Sequence, residues 1–365
     1  MKIAFIGTRG VPARYGGFET CAEELGRRLA ARGHEVWVYG RSGYYDKEIR
    51  EYQGMRVVII PELRVKSLET LFHSFLSLVS SLRENFDIWI VFNTANSPLL
   101  LIPRAFKKKI VLHTDGLEWM RGKWGFFGRG YHRLAERLAA KLDVALVTDS
   151  LSIREYYRKS YGRNSHYISY GASVQSSRDL ALLEGFGLHP GEYFLQVTRF
   201  EPENNCHLTV EAFRSLRANK RLVLVGGATY RTRYVRDMCR LGDGRILFPG
   251  FIYDRNVLRE LYCNCHAYIH GNEVGGTNPA LLQAMGAGAF VVARDVPFNR
   301  EVLEEAGIYF SKSAGDLSRK MAWTLENAED MERMKARAQA IIQERYDWDK
   351  VTLIYEDLCN NLAGG

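Results

Sequence analysis

The chain has 365 residues, which on a prior of roughly 150 residues per domain points to two domains. Hydrophobic residues make up 46% and charged residues 25%, values that argue against wholesale disorder, and six scattered cysteines fit a reducing cytoplasm better than a disulfide framework. The formal net charge of +8 is uneven: residues 1–184 carry 28 Lys and Arg against 19 Asp and Glu, the remainder 22 against 23, so the basic excess belongs to the first half. Such a surface suits nucleic acid, anionic lipid or a phosphorylated ligand, and composition does not choose among them.

The opening run MKIAFIG is too short for a signal peptide or a membrane span, and no later stretch reaches the roughly 18 apolar residues a span requires. Strands are expected at Ile3–Ile6, Glu35–Tyr39, Arg56–Ile60, Asp87–Phe92, Lys109–His113 and Val144–Thr148. A second set is expected at Tyr193–Thr198, Arg221–Val225, Ile246–Phe248, Ala267–His270, Phe290–Ala293 and Ile308–Phe310. Aliphatic runs separated by helical patterns describe buried parallel strands in βαβ units, so each half reads as a Rossmann-type sheet. The Gly- and Ser-rich stretch between Gly171 and Tyr193 reads as an interdomain hinge. Two such sheets facing each other make the cleft between them the expected site.

After the first strand, Gly16 and Gly17 stand where a long helix begins. Unpaired N–H groups and glycine there suit a phosphate, although an ordinary βα loop looks the same and the spacing is not G-x-G-x-x-G. His113 and Asp115 in HTDGLEWMRGKW sit at the carboxyl edge of the fifth strand, as site residues or as a structural histidine capped by its loop. From Arg121 to Leu142, six Lys and Arg alternate with Trp124, Phe126, Phe127 and Tyr131. That pattern fits docking on an anionic membrane, or a solvated helix face with its aromatics in the core. Arg199 ends the strand Tyr193–Thr198, where a guanidinium can grip a diphosphate through two parallel hydrogen bonds. Thr277, Asn278 and Pro279 form a helix start after the strand ending at His270, again ready for an anion. Asp347 and Asp349 imitate a metal-binding D-x-D, but Asp347 reads as a helix cap, and Cys263, Cys265, His266 and His270 read as structural.

With GTRGVPARYGGFET, HTDGLEW, RFEPENN and GGTNP in order, the whole chain resembles the family-4 retaining glycosyltransferases of GT-B fold, in a bacterial rhamnosyltransferase-like subgroup. The resemblance implies an α/β architecture of two facing Rossmann-like domains with a cleft between them. An acceptor-side domain would span 1–172 and a nucleotide-sugar-binding domain 190–345, with a helix over 346–365 crossing back. It implies transfer of a sugar, rhamnose being the best guess, from a dTDP or UDP donor to a saccharide, lipid-linked acceptor in cell-surface polysaccharide synthesis. No cofactor, no metal and no nucleic acid are expected, and the protein would sit in the cytoplasm on the inner face of the plasma membrane. Gly16 and Gly17 would meet the donor diphosphate, with His113 and Asp115 near the reacting centre and Arg199 on the phosphates. Gly276, Thr277 and Asn278 would hold sugar and phosphate.

Two departures stand out. Asn204 occupies the place of a phosphate-neutralising lysine, and Gly275 and Gln283 occupy those of paired glutamates. Gln283 accepts a ribose hydroxyl without charge assistance, which suits a deoxyribose donor such as dTDP. Competing readings are a nucleotide-sugar 2-epimerase on the same fold and a non-catalytic nucleotide-sugar-binding protein.

Overall fold

Each apolar run named above forms a strand in the computed structural model, which describes residues 1–364 apart from 15, 47, 63–68, 115 and 229–232. Contacts divide the chain into two units, one of Met1–Tyr170 with Trp348–Gly365, the other of Gly171–Asp347.

The first unit holds β1 (Lys2–Ile6), β2 (Glu35–Arg41), β3 (Glu51–Tyr52), β4 (Met55–Ile60), β5 (Ile88–Phe92), β6 (Ile110–His113), β7 (Ala145–Thr148) and β8 (His166–Tyr167). Their order in the sheet is β3-β4-β2-β1-β5-β6-β7-β8, parallel throughout except for β3 against β4. The β3–β4 reversal runs through Gln53 and Gly54, both at positive φ (48° and 78°), the backbone a tight hairpin needs. β1 and β5 are buried on both faces, which is why their sequences run apolar without alternation.

The last helix, Trp348–Gly364, belongs to this first unit. It buries Trp348, Val351, Tyr355, Leu358 and Cys359, each large side chain stabilising the unit by about 1.5–3 kcal/mol. Its polar face ties to the first helix region through Arg28 and Asp349 (2.6 Å) and through Glu356 with Arg32 and His34 (2.7 Å each).

The second unit holds β9 (Tyr193–Arg199), β10 (Arg221–Gly227), β11 (Ile246–Gly250), β12 (Ala267–His270), β13 (Val291–Arg294) and β14 (Gly307–Phe310). All are parallel, in the order β11-β10-β9-β12-β13-β14. Phe194, Leu222, Leu224, Ile269 and Val292 meet Val210 and Phe213 of the helix Cys206–Ser215 in its core. In both sheets the winding reverses beside the first strand, between β1 and β5 and between β9 and β12. Open α/β sheets bind ligands beyond the carboxyl ends of strands at such a point.

The expected hinge is instead part of the second unit. Ala172 donates its N–H to the Tyr346 carbonyl (2.7 Å) and Gln175 to that of Gly286 (2.9 Å). Glu260, fully buried, accepts the Ser177 hydroxyl (2.6 Å) and the Arg178 N–H (2.9 Å). Glycine and serine here let the backbone lie close to its neighbours, and the partner that fixes it is a carboxylate some eighty residues away.

Candidate functional site

The second unit's switch point collects the residues singled out on it. Arg199 ends β9, and its side chain is one-third exposed with Glu201 3.7 Å away. The loop after β12 leads through Gly275 (φ 144°) to the helix Pro279–Gly286. Asn278 caps that helix: its side-chain oxygen accepts the Ala280 N–H at 3.0 Å, with proline next, as the spacing predicts. Thr277 is buried beside it, and Gly276 is buried too. Gln283, half-buried on the same helix, makes no side-chain hydrogen bond among the described residues, so its amide is available.

Asn204 is not placed as a ligand contact. It is 1% exposed, donates its side-chain N–H to the Arg199 carbonyl (2.8 Å), and accepts the Gln196 amide on its own carbonyl (3.0 Å). Beside it Asn205 takes a left-handed conformation (φ 54°) and donates across to the Gly271 carbonyl at 2.8 Å. A Cβ at Gly271 would collide with the Asn204 carbonyl, so glycine is required there. These contacts clamp the loop after β9 to the loop after β12, and therefore set where the Arg199 backbone stands relative to the helix start. Sequence reasoning missed this network; the signal was the Asn-Asn pair, since asparagine tolerates positive φ better than most residues. Glu273, the nearest carboxylate to the vacant glutamate position, is held by Lys312 and by Arg294 (3.6 Å).

The first unit's switch point is furnished differently. Gly16 (φ 121°) precedes the helix Gly17–Ala31, and a Cβ on it would collide with the Glu19 carboxylate. Glu19 accepts the Arg9 N–H (2.9 Å) and pairs with its guanidinium (3.6 Å), so an internal carboxylate already sits at this helix start. Glycine at 16 is thus demanded by the fold itself. His113 is fully buried at the end of β6, stacked on Tyr170 and edge-on to Phe18. Its Nδ1 shares a hydrogen bond of 2.6 Å with the Tyr355 hydroxyl of the last helix, while Nε2 has no partner among the described residues. Burial pushes its pKa down to about 3, so the ring stays neutral. Tyr355 lies 242 positions from His113, and nothing local in sequence announces the pair. Asp115 lies outside the described residues.

The basic and aromatic segment divides in two. Trp124 packs on His132 (4.5 Å between ring centroids) and donates to Glu118 (3.1 Å), while Tyr131 donates to the Ala95 carbonyl (2.6 Å). Burial works to raise the Glu118 pKa, but Arg121 and Lys123 outweigh it and hold the carboxyl at about 2. Phe126 and Phe127, by contrast, are 87% and 89% exposed at the start of the helix Phe126–Lys141, whose Arg129, Arg133 and Arg137 are also exposed. Among the described residues no three His, Cys, Asp or Glu are grouped to hold a metal ion, and no helix is long and apolar enough to cross a membrane. Cys265 donates to the Tyr262 carbonyl and His266 bonds Thr324 (3.0 Å), so these groups serve the fold.

Residues 175–341 match the family model "Glycosyl transferases group 1", and residues 1–173 match a domain of unknown function, DUF1972. No curated protein matches the sequence. Among solved structures, sucrose-phosphate synthase from Thermosynechococcus elongatus is 18% identical with a TM-score of 0.84, covering 99% of this chain and 98% of that one. The Anabaena protein HepE in complex with UDP and glucose is 19% identical with a TM-score of 0.82, covering 99% and 100%. WaaG, a glycosyltransferase involved in lipopolysaccharide biosynthesis, is 16% identical with a TM-score of 0.73 over the full length of both chains. The chain thus has the GT-B fold of these glycosyltransferases, and its residues 175–341 are similar to the glycosyl transferases group 1 domain.

Proposed function

We propose that this protein transfers a sugar from a nucleoside-diphosphate donor, and that the second unit holds the donor's diphosphate. The observation that carries the reading is that Arg199 ends β9 while the loop leaving the neighbouring strand β12 leads to the helix start capped by Asn278, both at the carboxyl edge by the switch point. A guanidinium and a helix N-terminus aimed at one region stabilise the negative charge that grows on the departing diphosphate, in the transition state more than in the ground state. In the retaining course we propose, the acceptor hydroxyl attacks from the face the diphosphate leaves. The glycosidic C–O bond to phosphate breaks as the new one forms, and the departing phosphate oxygen takes the acceptor proton. Arg199, Gly276, Thr277 and Asn278 do this work without a resident metal. His113, neutral, buried and hydrogen-bonded to Tyr355, is not the base of this reaction.

Gln283 favours a donor whose sugar ring lacks one hydroxyl, hence dTDP over UDP, and rhamnose is the sugar we assign. The acceptor we assign is a lipid-linked saccharide of a cell-surface polysaccharide, reached at an anionic membrane by Phe126, Phe127 and the exposed arginines beside them. A thermal-shift panel of nucleotide sugars tests the core of this reading. A ligand at a hundred times its Kd adds about 2.7 kcal/mol to stability, so a dTDP- or UDP-sugar is expected to raise the melting point of the native protein and not that of Arg199→Ala. No shift with any donor would remove the proposal. Equal turnover of dTDP- and UDP-sugars, unchanged in Gln283→Glu, would remove the deoxyribose preference alone.

A further inference from the structure

A concave patch on the first unit, unrelated to the residues discussed so far, is lined by Leu151, Arg154, Glu155, Arg158, Arg163 and Asn164 and encloses about 320 Å³. The helix Leu151–Tyr161 supplies the first four at the i, i+3, i+4, i+7 spacing of a single face, and the turn after it supplies the other two. Three guanidiniums therefore surround one carboxylate. That carboxylate is already engaged: Glu155 receives two hydrogen bonds from Arg158 (2.7 and 2.6 Å) and an ion pair from Lys159 (3.2 Å). Arg154 has no ion-pair partner among the described residues. Arg163 gives one nitrogen to the Val144 carbonyl (2.6 Å), while its Nε is buried with no partner among the described residues. The cavity is thus left with more positive than negative charge.

Arg154 and Arg163 both act electrostatically on a third group. His166, on the edge strand β8, has its pKa lowered by burial and then by these two guanidiniums. Three guanidiniums and Lys159 set against the single carboxylate of Glu155 leave net positive charge at the cavity, which an anion accommodated there would offset. Planar guanidiniums matched to a concave wall are the geometry that recognises phosphoryl oxygens through paired hydrogen bonds.

We propose that this arginine-lined cavity is a binding site for a phosphoryl group, distinct from the donor site in the second unit. The volume exceeds that of one phosphate, so a diphosphate or a phosphoryl group with part of its carrier fits, with Leu151, 44% exposed, offering apolar contact. The proposal does not rest on the assigned transferase activity, since no residue is shared.

The test follows the His166 ring signals by NMR in the full chain carrying Arg199→Ala, which removes the donor-site guanidinium from the observation; His166→Gln identifies the signals. Inorganic pyrophosphate is titrated first, then vesicles of phosphatidylcholine with and without phosphatidic acid. Filling the cavity places negative charge beside His166, so its pKa is expected to rise, and Arg154→Gln is expected to weaken pyrophosphate binding about tenfold while the far-UV spectrum is unchanged. A response to pyrophosphate assigns a soluble phosphoryl ligand, and a response to phosphatidic acid vesicles alone assigns a lipid headgroup; either supports the site. No His166 response to both probes, or a response that Arg154→Gln leaves intact, overturns it. Should Arg154→Gln fold poorly, Arg158→Gln serves as the second variant with the same expected direction.

Discussion

In the first unit the region beyond β1 and β5 is filled by the protein's own groups: Glu19 lies at the helix start behind Gly16, and His113 is locked against Tyr355. In the second unit the corresponding region beyond β9 and β12 presents Arg199 one-third exposed, a helix start capped by Asn278, and the unengaged amide of Gln283. The strand order around the two points is the same. Topology therefore provides the location in both sheets, but only the choice of side chains decides whether the location is satisfied internally or left for a ligand.

The sharpest way to break this contrast is Arg199→Ala. If the guanidinium meets developing phosphate charge, kcat/KM for the donor falls about a hundredfold in a steady-state assay, with unfolding unchanged. A variant with full activity would mean that the second switch point is not where the donor's phosphates bind.

Next in size is Tyr355→Phe, which strips the buried His113 of its hydrogen-bond partner. Urea unfolding is expected to show a loss of about 1–3 kcal/mol. A neutral result would mean that the first unit is not self-satisfied at this point.

The buried histidines add a pH signature. Burial holds His113 at about 3, and burial, with Asn299 opposing, holds His270 at about 3. Their folded pKa values lie below the unfolded value of roughly 6.5, so the unfolded chain binds more protons between those limits. Stability contributed by the neutral rings is present above about 6.5 and is lost as pH falls toward 3. Melting points measured from pH 7 downward should fall, and His113→Gln should flatten the slope.

Asn278→Ala removes only a cap and is expected to cost about 1 kcal/mol, with a raised donor KM if the helix start touches the diphosphate. Smallest of all is the double substitution Phe126→Ser and Phe127→Ser. Both side chains are exposed, so unfolding should change by less than about 0.5 kcal/mol, while binding to anionic vesicles is expected to be lost in a sedimentation assay.

Much of the architecture was legible because parallel strands buried on both faces have to be continuously apolar, as Ile88–Phe92 is. β3 and β8 escaped because two-residue edge strands exist only through the neighbour they pair with. The stretch after Gly171 looked like a linker by composition, and only the remote carboxylate of Glu260 reveals that it is fastened down. At the site, Arg199 and the Asn278–Pro279 helix start were visible as local patterns. At Asn204 the sequence alone suggests a charge lost from a ligand contact, whereas the side chain faces inward to hold the Arg199 carbonyl. Pairings such as Tyr355 with His113 depend on the chain's return path, and residue spacing carries no record of that.

Because the first unit is built from Met1–Tyr170 together with Trp348–Gly365, synthesis order and completion order differ. A ribosome delivers all of the second unit before it delivers Tyr355. Until then the hydrophobic groove that takes Val351 and Cys359 stands open, and His113 lacks its phenol. The nascent amino-terminal half must therefore wait, incompletely sealed, for a segment made last, and nascent chains halted before residue 348 should bind chaperones more strongly than the finished protein.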